Sequence, residues 1–196
     1  MWFGRVIGSI HFFKQTKLVN RTLINHLHLT SEVFPPPCVH MANVFVYGTL
    51  KKGQPNHYRM FDSVNGKAEF LASVYTTEKY PLVIASENNI PFLLNIPGQG
   101  HQIQGEIYKV DEQMLKFLDD FEGIPIMYQR TLIKVEVKEW EGPTEGEEKP
   151  SPGSGAEAFV YSTTTYKPEW ISLPSYESYD SYGDHGLDYV TREARD

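Results

Sequence analysis

From Met41 onward the sequence predicts an α+β domain built on a small barrel or curled sheet, with a few short helices. Three observations predict it. Short apolar runs recur along the chain, several of them alternating with period two and fenced by Pro and Gly. Only two segments read as helix. No strand–helix–strand unit or other internal repeat occurs, which points away from a doubly wound parallel sheet.

The strands come first. Residues 43–47 (NVFVY) form a compact apolar run that ends at Gly48. Residues 67–76 carry Phe70, Ala72 and Val74 in alternation, and residues 82–85 and 92–96 are short runs bounded by Pro81, Pro91 and Pro97. Residues 103–110 are a further strand. The clearest is 131–140, where Ile133, Val135 and Val137 alternate with Lys134, Glu136 and Lys138. Its partner is 159–163. The Pro/Gly/Glu/Ser segment between them, about residues 141–156, has too little apolar character to pack and reads as a flexible hairpin loop. One helix is expected to begin near Pro55 and Asn56, since proline is tolerated in a first turn. The other spans 111–121, with Asp111 as its N-cap.

Composition narrows the function. At 196 residues the chain can hold one domain plus tails, and its net charge of −7 argues against a sequence-independent grip on nucleic acid. Residues 1–40 carry four basic side chains against Glu32, a net of +3, leaving −10 for the rest; such an acidic domain suits a cationic small molecule. Those forty residues are read as a poorly ordered extension ahead of an alternative start at Met41. Their basic, acid-poor character also fits a weak mitochondrial transit peptide. The single cysteine, Cys38, leaves no intramolecular disulfide, implies a reducing compartment, and removes thiol nucleophiles and cysteine-ligated metal from the main domain. No apolar run approaches the length of a membrane span, so a cytoplasmic monomer without membrane or nucleic-acid partners is expected.

Two features carry chemistry. In Tyr47-Gly48-Thr49-Leu50-Lys51-Lys52-Gly53 a buried strand runs into a glycine, a hydroxyl residue and a second glycine. Such a turn can present successive backbone N–H groups to a carboxylate or oxyanion. The same residues also fit a plain strand-ending turn, the commoner meaning of strand–Gly–Thr. The second feature is the helix DEQMLKFLDDFEG. Met114, Leu115, Leu118 and Phe121 share one face, and Glu122 falls within that stripe, four residues after Leu118 and seven after Leu115. A carboxylate on a core face resists ionisation and suits a general acid/base near neutral pH. Gly123 stops the helix there. Periodicity is equally satisfied by a Glu122 that lies one turn too late and only flanks the cap. His57, His101 and His185 have no partner at ligand spacing, so no metal or cofactor is expected. The tail 176–187, rich in Tyr and Asp, fits either a disordered acidic end or a lid over a pocket.

Together VFVYGTLKKGQPNH (44–57), YPLVIA (80–85), LDDFEG (118–123), YQR (128–130), FVYS (159–162) and the YDS…HGL tail resemble the γ-glutamylamine cyclotransferases of the wider γ-glutamylcyclotransferase-like (AIG2-like) family. YGTL marks only the wider family; GQPNH and LDDFE are more specific. The resemblance implies a mixed β-barrel in which Tyr47, Gly48, Thr49 and Leu50 wall a cavity for the glutamyl carboxylate and 5-oxoproline. It implies that Glu122 is the catalytic residue and that Tyr128 lies near the pocket. The implied reaction cyclises a γ-glutamyl amine, such as γ-glutamyl-ε-lysine from degraded transglutaminase crosslinks, to 5-oxoproline and a free amine. Two alternatives stay open. The chemistry could serve γ-glutamyl α-amino acids or glutathione, which would call for a cationic residue to meet the second carboxylate, Arg130 being one candidate, or the fold could be a non-catalytic binding module.

Overall fold

The structure, a computed structural model, describes residues 40–195 apart from Glu145 and Glu147. All but His40 of the N-terminal extension expected over residues 1–40 thus lies outside the described residues. Seven strands and one α-helix follow in the order β1 (Ala42–Val46), β2 (Ala68–Tyr80), β3 (Leu82–Ala85), β4 (Ile90–Leu93), β5 (His101–Val110), α1 (Glu112–Glu122), β6 (Gln129–Trp140) and β7 (Gly155–Ser162). Five strands close a barrel in the order β1-β5-β2-β6-β7, and β3 and β4 form a separate hairpin. Every barrel pairing is antiparallel except that of β1 with β7, where Val44 faces Phe159 in parallel. The barrel is therefore mixed, and closure gives each of its five strands a neighbour on both sides.

The apolar run of β1 has a simple origin. Phe45 and Tyr47 point into the barrel core, while Val44 and Val46 face a second core shared with Met114, Leu118, Val83, Phe92 and Tyr128. A strand buried on both faces has no polar positions to alternate. β3 follows the same rule, with Leu82 and Ile84 on one side and Val83 and Ala85 on the other. β6 is buried on one face only, so Ile133, Val135 and Val137 go in and Lys134, Glu136 and Lys138 go out. Gly105 in β5 is required because a Cβ there would run into the Phe45 ring and the Val46 carbonyl.

Three expectations need adjustment. β2 runs four residues further than expected, to Tyr80, because irregularities after Phe70 and Tyr75 let it bend along β5. The helix expected at Pro55 is a single 3-10 turn, His57–Met60. The Asn56 side chain caps nothing there; its N–H groups are committed to Thr49 and Tyr189. The tail at 176–187 is docked on the barrel. Tyr176 N donates to Leu82 O at 2.9 Å, Gln104 N to Glu177 O at 2.8 Å, and Gln54 Nε2 to Asp180 Oδ1 at 3.0 Å.

α1 begins and ends where its caps dictate. Asp111 Oδ1 accepts from Met114 N at 2.8 Å, and Gly123 adopts the left-handed conformation (φ 68°) that a non-glycine residue resists. Removing the N-cap acceptor in Asp111→Ala is expected to lower unfolding stability by about 1 kcal/mol. Urea denaturation should show this as a lower midpoint with an unchanged slope.

Candidate active site

The site is assembled from the ends of β1 and α1. β1 delivers Tyr47 and then the turn at residues 48–50, which Lys51 N closes by donating to Gly48 O at 3.1 Å. Asn56 N donates to Thr49 O at 2.9 Å and Asn56 Nδ2 to Thr49 Oγ1 at 3.0 Å, so the turn is held from behind. Among the described residues no acceptor meets the N–H groups of Gly48, Thr49 or Leu50. Gly48 has a steric reason as well, since a Cβ would press on the Pro91 ring at 3.0 Å.

All six residues singled out from the sequence, Tyr47, Gly48, Thr49, Leu50, Glu122 and Tyr128, line one cavity. Its other walls are Val44, Phe45 and Val46 of β1, Ile90 and Pro91 of β4, Leu118 and Phe121 of α1, Met127, Tyr161, and three residues that sequence reasoning missed: Tyr189, Arg192 and Arg195. Those three lie just beyond the Tyr- and Asp-rich tail segment 176–187. Their one signal was the return of arginine after an acidic stretch. The tail acids Asp180 and Asp184 do not line this cavity; besides Glu122 its charged groups are Arg192 and Arg195.

Glu122 is the last residue of α1 and half-buried, its carboxyl closely surrounded by protein. Burial pushes that carboxyl from an ordinary value of 4.5 up to about 7, and the nearby positive charge of Arg192 opposes the rise. Arg192 itself donates to the Phe121 carbonyl and stacks on the Phe121 ring, its guanidinium carbon 4.1 Å from the ring centre. The two tyrosines expected at the site are also buried. Burial raises the phenol of Tyr47, with the negative charge of Glu122 adding to it, and burial likewise raises Tyr128. Both stay neutral. Tyr47 Oη donates to Tyr161 O at 2.8 Å and accepts from Leu93 N at 3.3 Å; Tyr128 Oη donates to Pro91 O at 3.2 Å and its ring stacks on Phe92.

The neighbouring acids are otherwise engaged. Asp119 pairs with Arg130 at 2.6 Å and accepts from Tyr161 Oη at 2.7 Å, and Asp120 is exposed. Neither lines the cavity, and neither does Arg130. Among the described residues no group of three or more His, Cys, Asp or Glu could hold a metal ion, and no helix is long and apolar enough to cross a membrane. The arrangement supplies one carboxyl able to take and return a proton near neutrality, beside a row of unpaired backbone donors.

The sequence matches the family described as "Gamma-glutamyl cyclotransferase, AIG2-like" over residues 44–181. It is 58% identical over 155 residues to the γ-glutamylaminecyclotransferase of Rattus norvegicus, covering 79% of this chain and all of that one. To the human γ-glutamylaminecyclotransferase it is 54% identical over 155 residues, again across that protein's full length. The structure superposes on the crystal structure of an AIG2-like protein from Mus musculus with a TM-score of 0.73 and 58% identity, covering 80% of this chain and 99% of that one.

Burying Glu122 has a thermodynamic consequence. Its folded value lies above its unfolded one, so the folded state binds the proton more tightly. The group is neutral in both states well below pH 4.5 and penalises folding as the pH rises toward about 7 and beyond. Glu122→Gln should therefore melt about 2–6 °C higher than the unchanged chain at pH 8. In differential scanning calorimetry that gap should close at pH 4.

Proposed function

The chain belongs to the AIG2-like γ-glutamyl cyclotransferase family, and on that premise we propose that it is a γ-glutamylamine cyclotransferase acting on γ-glutamyl-ε-lysine, a product of transglutaminase crosslink breakdown, to give 5-oxoproline and free lysine. The observation that carries this reading is the joint presence, in one cavity wall, of the buried Glu122 carboxyl and the unpaired N–H groups of residues 48–50.

The glutamyl α-carboxylate accepts from those N–H groups, which fixes the rest of the glutamyl chain against Glu122. In the folded-back substrate the α-nitrogen reaches the γ-carbonyl carbon. Intramolecular attack of a well-oriented nucleophile is worth an effective concentration of roughly 10⁵ M or more, so the protein's main tasks are orientation and proton traffic. The Glu122 carboxylate takes a proton from the α-ammonium, and the freed amine adds to the γ-carbon. Glu122 then gives that proton to the departing ε-nitrogen as its bond to the γ-carbon breaks. The regenerated carboxylate takes the second proton that the ring nitrogen must lose and passes it to the freed amine, so that neutral 5-oxoproline lactam and the ε-ammonium of lysine leave. A carboxyl titrating near 7 serves both halves, because it is basic enough to accept and acidic enough to return. Tyr47 and Tyr128 remain neutral beside it in the cavity wall.

Arg130, one candidate cation for the glutathione reading, is engaged with Asp119 away from the cavity, and the cations that line the cavity are Arg192 and Arg195. Cys38 as the single cysteine fits a reducing compartment, and a cytoplasmic monomer is the matching cellular reading.

Release of 5-oxoproline from γ-glutamyl-ε-lysine, γ-glutamyl-alanine and glutathione tests the proposal. The ε-lysine compound should be the preferred substrate, and Glu122→Gln should lower kcat by about 10²–10⁴. Turnover that survives the substitution would remove Glu122 from the mechanism; preference for glutathione would overturn the substrate assignment. With Glu122 acting as the base, kcat/KM should fall about tenfold per pH unit below pH 7 and level off above it.

A further inference from the structure

Four tyrosines line the cavity, and three of them have already given their hydroxyl proton to the protein. Tyr47 Oη donates to Tyr161 O, Tyr128 Oη to Pro91 O, and Tyr161 Oη to Asp119 Oδ1, at 2.8, 3.2 and 2.7 Å. Tyr189 is wired the opposite way. Its oxygen accepts twice, from Asn56 Nδ2 at 2.9 Å and from Arg195 Nη2 at 3.0 Å.

The two donors are held differently. A guanidinium has no acceptor at all, so Arg195 can only donate, and the Asn56 amide is oriented by Arg59, whose Nε can only donate and faces Asn56 Oδ1 at the long distance of 3.4 Å. Asn56 is buried to 4% exposure, so its amide has little freedom to turn. A phenol has one proton and two acceptor positions. With both positions filled, the Tyr189 O–H must point elsewhere, and among the described residues it meets no acceptor. Tyr189 is half-buried and lines the cavity, and an acceptor bound there would answer the O–H.

The same Asn56 nitrogen that donates to Tyr189 also donates to Thr49 Oγ1 at 3.0 Å. One buried amide thus sets the Tyr189 hydroxyl beside the turn whose N–H groups are free. Building on the cyclotransferase reading above, we propose that Tyr189 is a substrate-binding residue whose hydroxyl donates a hydrogen bond to the glutamyl α-carboxylate held at residues 48–50. The Asn56–Arg195 pair acts as a positioning device. It converts a side chain that could donate or accept into a dedicated donor, selecting an anion over a neutral carboxamide at that end of the substrate.

The test uses 5-oxoproline, which keeps the carboxylate, and 5-oxoprolinamide, which replaces it with a neutral amide. Both are titrated calorimetrically into the full chain and its Tyr189→Phe variant. The variant keeps the ring that Arg195 covers at 5.3 Å and loses only the hydroxyl. A charge-assisted hydrogen bond should show as about a tenfold or larger loss of 5-oxoproline affinity, with the amide's affinity changing less than about threefold. KM for γ-glutamyl-ε-lysine should rise by a similar factor while kcat stays within about threefold. Unchanged 5-oxoproline affinity, or equal losses for acid and amide, would overturn the assignment. Should the variant fail to fold, the unchanged chain crystallised with 5-oxoproline decides: a carboxylate oxygen within about 3 Å of Tyr189 Oη upholds it, and a carboxylate bound elsewhere refutes it. If the unchanged chain releases no 5-oxoproline from any γ-glutamyl amine, the activity reading itself fails and this assignment falls with it.

Discussion

The packing of the α1 stripe into the core behind β1 is the constraint on which the site depends. Val44 and Val46 on one face of β1 share that core with Met114 and Leu118 of α1, both fully buried. The phase of a helix cannot change locally, so burying Leu118 commits Glu122, one turn later, to the same side. The chain leaves β1 at Tyr47 and turns through residues 48–50, and it leaves α1 at Gly123. The two exits open on one cavity, and that shared opening brings a carboxyl and a set of unpaired backbone donors together. Asp119, three residues before Glu122, is turned to Arg130 and Tyr161 and ties the helix to β6 and β7.

That geometry carries a tension between folding and chemistry. The surroundings that lift Glu122 toward neutrality, chiefly burial, oppose its charged form in the folded state. Arg192 relieves part of this penalty without pairing directly, because its guanidinium is spent on the Phe121 carbonyl and ring. A direct ion pair would pull the carboxyl back toward its ordinary range and weaken it as a base. The phenols follow a complementary logic. Those whose protons are held by backbone carbonyls or Asp119 wall the cavity, and Tyr189, whose oxygen accepts twice, keeps its proton for what the cavity binds.

Much of this was legible in the sequence because it rests on local rules. The alternation of Ile133, Val135 and Val137 survives as the buried face of β6, and Asp111 and Gly123 cap α1 as their residue types require. Glu122 could be placed on the apolar stripe, although only packing against β1 decides that it lines a cavity instead of fraying at the helix end. Closure of the barrel by the parallel β1–β7 pair was less visible, since it joins segments more than a hundred residues apart. Tyr189, Arg192 and Arg195 were not legible at all. No periodicity marks them, and they reach the site only because the preceding tail is pinned by Gln54, Leu82 and Gln104. Asn56 stood within a conspicuous motif, yet its task was hidden, because both of its side-chain N–H groups serve residues outside its own turn.

The double role of Glu122 rests on burial at the end of α1 raising its carboxyl toward neutrality. A carbon-13 NMR titration following the Glu122 side-chain carboxyl in the folded, ligand-free chain tests it directly. The expected midpoint is close to pH 7. A midpoint near 4.5, the ordinary value for glutamate, would contradict it and with it the double role assigned to this residue.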